Sequence, residues 1–113
     1  MIVVGVALAA AVGAAVRAVV TGLDAPFDRQ MYGTAAVNII GSFFLGLLAG
    51  SDSTSANTLA IIGVGGLGAL TTFSTYISQI ERIAREQKAS IAVVYGAGSL
   101  IAGIIAAFIG WSL

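Results

Sequence analysis

The sequence predicts an all-α integral membrane fold: four transmembrane helices, the third broken within the membrane. Three observations predict it. Of 113 residues, 58% are hydrophobic and 9% are charged, whereas a soluble domain carries about 25% charged residues. Four apolar runs approach the roughly 20 residues that a spanning helix needs. The third run contains Gly63 to Tyr76, GVGGLGALTTFSTY, in which four glycines precede Thr71, Thr72, Ser74 and Thr75 around Phe73. Each glycine weakens a helix by about 1 kcal/mol relative to alanine, and hydroxyl side chains compete for the backbone's hydrogen bonds. Interrupted backbone at membrane depth is tolerated only where protein buries it or where it lines a wet cavity. The least helical stretch is therefore the expected functional site.

The spans are expected at about 2–20, 32–50, 58–80 and 90–111, in a single membrane domain covering 1–113. The first twenty residues lack a basic n-region and read as a retained helix, not a cleaved signal. In this helix Gly5, Ala9 and Gly13 recur every fourth residue. Small residues at that spacing let backbones approach closely. Arg17 lies three residues from the end of the apolar run. It either snorkels to the headgroups or stands as a cation at an anion vestibule.

The linker 21–31 holds Pro26, the only proline, with Asp24, Asp28 and Arg29. In the second run Thr34, Asn38 and Ser42 share one helical face. They form either interhelical hydrogen-bond glue or a polar track, in which the Asn38 amide offers two donors to an anion. Asn38→Asp is expected to abolish such a track with folding intact. The polar turn SDSTSAN, 51–57, leads to the third run. The segment 81–89, with Arg82, Arg85 and Lys88, continues that helix past the membrane surface. The fourth run carries Tyr95 and Ser99 on one face, continued by Gly103, and Trp111 near its end suits an interfacial anchor.

Several function classes are excluded or disfavoured. The chain has no cysteine and no histidine, so thiol chemistry, the usual general base and the commonest transition-metal ligand are absent. Net charge is zero, which argues against a nucleic-acid partner. The glycine-rich run lacks the lysine of a phosphate-binding loop. All five carboxylates, Asp24, Asp28, Asp52, Glu81 and Glu86, fall in linkers or at helix ends. Proton-coupled transporters use intramembrane acids or histidines, so a small four-helix solute transporter is disfavoured. No catalytic constellation is present, and the chain is not expected to be an enzyme.

Gly13-Ala14-Ala15-Val16-Arg17, then Gly33-Thr34, Val37-Asn38 and Gly41-Ser42-Phe43, then Thr71-Thr72-Phe73-Ser74-Thr75-Tyr76, resemble in order and spacing the Fluc (CrcB) fluoride channels. The likeness runs from the first helix to the fourth. It implies a fluoride-selective passive channel that lowers cytoplasmic fluoride. It also implies an antiparallel dimer with two pores and a central sodium ion that is bound but not transported. The resemblance puts that sodium on the backbone carbonyls of Gly68 and Thr71. It matches Asn38 to the pore asparagine, Phe73 to the first pore phenylalanine, Tyr95 and Ser99 to polar-track hydroxyls, and Arg17 to the helix 1 arginine. Thr34, Ser42, Thr72, Ser74 and Thr75 complete the expected ion pathway. A ring edge carries partial positive charge, so a small anion can approach Phe73 while amides and hydroxyls replace its water. The sequence departs from the pattern at Tyr76, where a second phenylalanine is usual, at Ala69 for a glycine, and at Gly103 for a serine. The Tyr76 hydroxyl requires a partner.

With four crossings, the linkers 21–31 and 81–89 share one side. All five Lys and Arg residues, Arg17, Arg29, Arg82, Arg85 and Lys88, lie in or beside them. The positive-inside rule makes those linkers cytoplasmic and both termini external, in the plasma membrane. A chain that inserts both ways should show little such bias. The dimer partner is then either a second copy or an inverted related subunit, and the chain itself either conducts or supports a conducting partner.

Overall fold

A computed structural model describes residues 2–22 and 25–113; the linker residue Asp24 lies outside the described residues. The elements are α1 (Ile2–Thr21), α2 (Phe27–Gly50), α3 (Ala56–Thr58), a π-helix (Leu59–Leu67), α4 (Gly68–Leu70), α5 (Ser74–Glu86) and α6 (Ala89–Ser112). Among the described residues, four segments are long and apolar enough to cross a membrane: Ile2–Thr21, Phe27–Gly50, Ala56–Glu86 and Ala89–Ser112. The second starts five residues before the expected position, at Phe27 instead of Tyr32. Pro26 sets this start, because its fixed φ suits the residue leading into a helix. The linker shortens accordingly, and Gly22, at φ 68°, makes its turn, a conformation that glycine adopts without cost.

The third span begins at a side-chain cap: Ser55 Oγ accepts the Thr58 N–H at 3.1 Å. It then winds as a π-helix, and the Gly68 N–H reaches back five residues to the Gly63 carbonyl. Such turns are rare and mark functional sites. The helix stops at Leu70. Thr71 is extended (φ −79°, ψ 158°), and helix resumes at Ser74.

Small residues set the packing. Helices α2 and α6 run parallel, with Gly46 against the Ala107 carbonyl, Gly50 against Trp111 and Gly110 against the Phe43 carbonyl. A Cβ at Gly46 or Gly110 would overlap backbone. The first part of the third span runs parallel to α1. Gly13 meets the Gly66 carbonyl, and Gly65 meets the Val6 carbonyl. Beyond the break, α5 leaves α1 and packs antiparallel to α6. The molecule is a slab of 45 × 30 × 16 Å. Its long axis matches a bilayer of about 40–45 Å with headgroups. At 16 Å thick, it leaves every span one uncovered face. Val3, Leu8, Val12 and Val19 of α1, and Val93, Leu100, Ile104 and Phe108 of α6, stand on those faces. An apolar surface on this scale is suited to lipid or a partner, not to water.

Candidate functional site

The break is organised by hydrogen bonds that have changed partner. In a continuous helix the N–H of residue i+4 bonds to the carbonyl of residue i. Thr71 N–H still does so, to Leu67 at 3.0 Å. The next donor does not. Thr72 N–H goes to Asn38 Oδ1 at 2.7 Å, and Asn38 Nδ2 returns a bond to the Thr72 carbonyl at 3.0 Å. The α2 side chain thus stands in for a missing rung of backbone. After the break, Thr75 N–H goes to Thr72 Oγ1 at 3.3 Å, which covers one of the open donors at the start of α5.

Two cavities flank this point, and Thr72 lines both. The first, of about 340 Å³, lies between α2, the break, α5 and α6. Asn38, Ser42, Thr72, Phe73, Tyr76 and Ser99 of the expected pathway line it. The second, also about 340 Å³, lies between α1, the start of α2, the break and α5. Arg17, Thr34, Thr72 and Thr75 line it. Neither lining contains an Asp or Glu. Ser74 and Tyr95 line neither cavity, and Ser74 is exposed.

The structure narrows what several of these side chains can offer. Asn38 commits one amide hydrogen to Thr72, so one donor, not two, remains for an anion. An Asp there would alter the break as well as the cavity. Ser42 Oγ donates to the Asn38 carbonyl at 2.6 Å, so its proton is spent within α2. The Tyr76 hydroxyl donates to the Gly96 carbonyl, which supplies the partner that the sequence required. Tyr76 is 8% exposed, whereas Phe73 is 73% exposed. Ring centroids lie 6.1 Å apart for Phe73 and Tyr76, and 5.9 Å apart for Tyr76 and Tyr95. An aromatic row thus runs from the break towards α6.

Gln79 is a central residue that the sequence reading missed. It is 5% exposed, and Thr34 is 0% exposed. Gln79 Nε2 donates to Thr34 Oγ1 at 3.0 Å, and Tyr95 Oη donates to Gln79 Oε1 at 2.6 Å. This network links α2, α5 and α6, and its Thr34–Gln79 bond is buried, where an unmade bond is costly. The available signal was spacing: Thr72, Thr75 and Gln79 recur at i, i+3 and i+7, one helical face. Farther along α5, Arg82 lies 4.0 Å from the Phe27 ring centroid, a cation–π contact. Exposed Arg82–Glu86 and Arg85–Glu81 pairs close the helix at 2.7 and 3.5 Å.

A family model described as CrcB-like protein, Camphor Resistance (CrcB), matches residues 4–111. The chain belongs to the CrcB family. Among similar CrcB proteins, one from Rhodococcus jostii, named fluoride-specific ion channel FluC 2, is 37% identical over all of this chain and 98% of the relative. One from Prochlorococcus marinus, FluC 1, is 36% identical over 96% of this chain and 88% of the relative. One from Novosphingobium aromaticivorans, FluC, is 33% identical over 96% and 91%. These names describe channels, and this CrcB chain is not an enzyme. The resemblance read from the TTFST run and its partners is thereby borne out at the level of the family.

Among the described residues of this CrcB chain, no group of three or more His, Cys, Asp or Glu could hold a metal ion. The two carbonyls expected to bind sodium have a fitting feature. Thr72 N–H would cap Gly68 in a continuous helix, and Thr75 N–H would cap Thr71. Both donors are diverted, to Asn38 and to the Thr72 hydroxyl. Gly68 retains one long bond, from the Thr71 hydroxyl at 3.4 Å. Carbonyl oxygens released in this way suit a hard cation.

Proposed function

We propose that this chain is a subunit of a passive, fluoride-selective channel in the cell membrane, lowering cytoplasmic fluoride. The observation that carries the reading is the braced break between two cavities, in a chain whose named relatives are fluoride-specific channels. The break lies within the bilayer, where interrupted backbone lines a cavity. An anion loses water there and meets the remaining Asn38 N–H, the Thr72 hydroxyl and the exposed Phe73 ring edge. Thr34, Ser42, Thr75, Tyr76, Ser99 and Arg17, which line the two cavities, form the rest of the path, with Arg17 drawing the anion into the second cavity; Tyr95 supports it from behind through Gln79. A sodium ion on the Gly68 and Thr71 carbonyls is structural and holds positive charge near the path. Two subunits pair antiparallel, which covers apolar faces that a single slab leaves open.

Fluoride efflux from liposomes holding the purified chain tests this, read by a fluoride electrode with chloride as control. Fast efflux of fluoride but not chloride is expected. Absence of efflux, alone and with an oppositely oriented relative added, overturns the channel reading.

The basic residues favour a second reading of the partner. All five lie at one end of the spans, so the linkers 21–31 and 81–89 face the cytoplasm and both termini face outward. A chain fixed in that way pairs with an inverted, related subunit, and efflux then requires both. A multidrug-type transporter fits poorly, because neither cavity lining contains an acid.

A further inference from the structure

We infer that Asn38 and Thr72 are positioning residues for the cation, each keeping one ligand carbonyl uncapped. The inference rests on the sodium reading above and adds to it the side chains that prepare the site. Two backbone N–H groups would occupy the Gly68 and Thr71 carbonyls if the helix ran on. A carbonyl capped by an N–H presents a positive hydrogen beside any approaching cation. The Asn38 amide oxygen captures the first of these donors at 2.7 Å, and the Thr72 hydroxyl captures the second at 3.3 Å. The two captors act in series. Asn38 Nδ2 also holds the Thr72 carbonyl at 3.0 Å, which fixes the residue whose hydroxyl takes the second donor.

The inference also ties two sites together. Asn38 and Thr72 line the first cavity, so the side chains that face the anion also determine whether the carbonyls can receive the cation. Loss of either captor frees the extended backbone at Thr71 to rewind, which returns an N–H to its helical acceptor, and the ion must then displace a hydrogen bond.

The test reads sodium, not flux. Purified protein in detergent is unfolded thermally while sodium chloride replaces choline chloride at constant ionic strength. The shift of the midpoint gives an apparent sodium affinity. Asn38→Leu and Thr72→Val remove the captors at nearly constant volume. Each is expected to weaken sodium by about tenfold, the size of one net hydrogen bond. Thr72→Ser keeps the hydroxyl and is expected to stay within about threefold of wild type. Ser112→Ala, exposed at the end of α6 and away from both cavities, is expected to bind sodium as the wild type does. Unchanged affinity in both Asn38→Leu and Thr72→Val overturns the inference and leaves the sodium reading standing. A wild type without any sodium response overturns the sodium reading, and the inference with it. If Asn38→Leu does not fold, the Thr72→Val and Thr72→Ser pair decides.

Discussion

Residues 56–70, before the break, dock on α1 through main chain, whereas α5, after it, docks on α6 and α2 through side-chain hydrogen bonds. In the first half the contacts are Gly13 on the Gly66 carbonyl and Gly65 on the Val6 carbonyl. In the second they are Tyr76 to Gly96, Gln79 to Thr34 and Tyr95 to Gln79. The first half is glycine-rich and winds as a π-helix. The second is an amphipathic helix whose buried face is Tyr76, Gln79 and Ile83. Backbone contact leaves no room for a side chain, so the first half is fixed in place. Hydrogen bonds through side chains can be changed one at a time, so the second half is adjustable. The break joins a rigid element to a tunable one.

The largest effect is expected from breaking the rigid half. Gly13→Val puts branched carbon where the Gly66 carbonyl sits. It should cost about 3 kcal/mol, the upper range for overpacking, read as a large fall in unfolding temperature with fluoride efflux lost. A stable Gly13→Val protein would mean that α1 and the π-helix can separate without harm. Next comes the adjustable half. Gln79→Leu leaves the buried Thr34 hydroxyl and the half-buried Tyr95 hydroxyl without their shared partner. A loss of about 2 kcal/mol is expected, and fluoride efflux should slow while chloride stays excluded. Unchanged stability and flux would remove Gln79 from the network's centre. The smallest effect is expected from Tyr76→Phe. It deletes the bond to Gly96 but keeps the ring and its contacts with Phe73 and Tyr95. About 1 kcal/mol is at stake, visible as a small shift in unfolding temperature. A shift as large as that of Gly13→Val would show that the second half is as rigid as the first.

Most of the fold was legible in the sequence, because hydropathy over about 20 residues is a local property. The π-helix was not. Gly63, Gly65, Gly66 and Gly68 suggested weakness, but nothing in composition distinguishes a broken helix from a widened one. The polar face of α2 was correctly located, but its use was not. Thr34 turns to Gln79, Asn38 to the break, and Ser42 back to its own helix.

The sequence by itself determined the four spans, the position of the interruption and the confinement of acids to linkers and span ends, through residue type and spacing alone. Only the tertiary structure decided which donor meets which acceptor. Asn38 and Thr72 lie 34 residues apart in the chain, and Thr34 and Gln79 lie 45 apart. Both helical faces offer several hydroxyls and amides of similar strength. The choice among them follows from the glycine contacts that set how α2, α6 and α1 slide past one another. Those contacts are long-range and depend on ångström-scale fit, so residue spacing could not specify them.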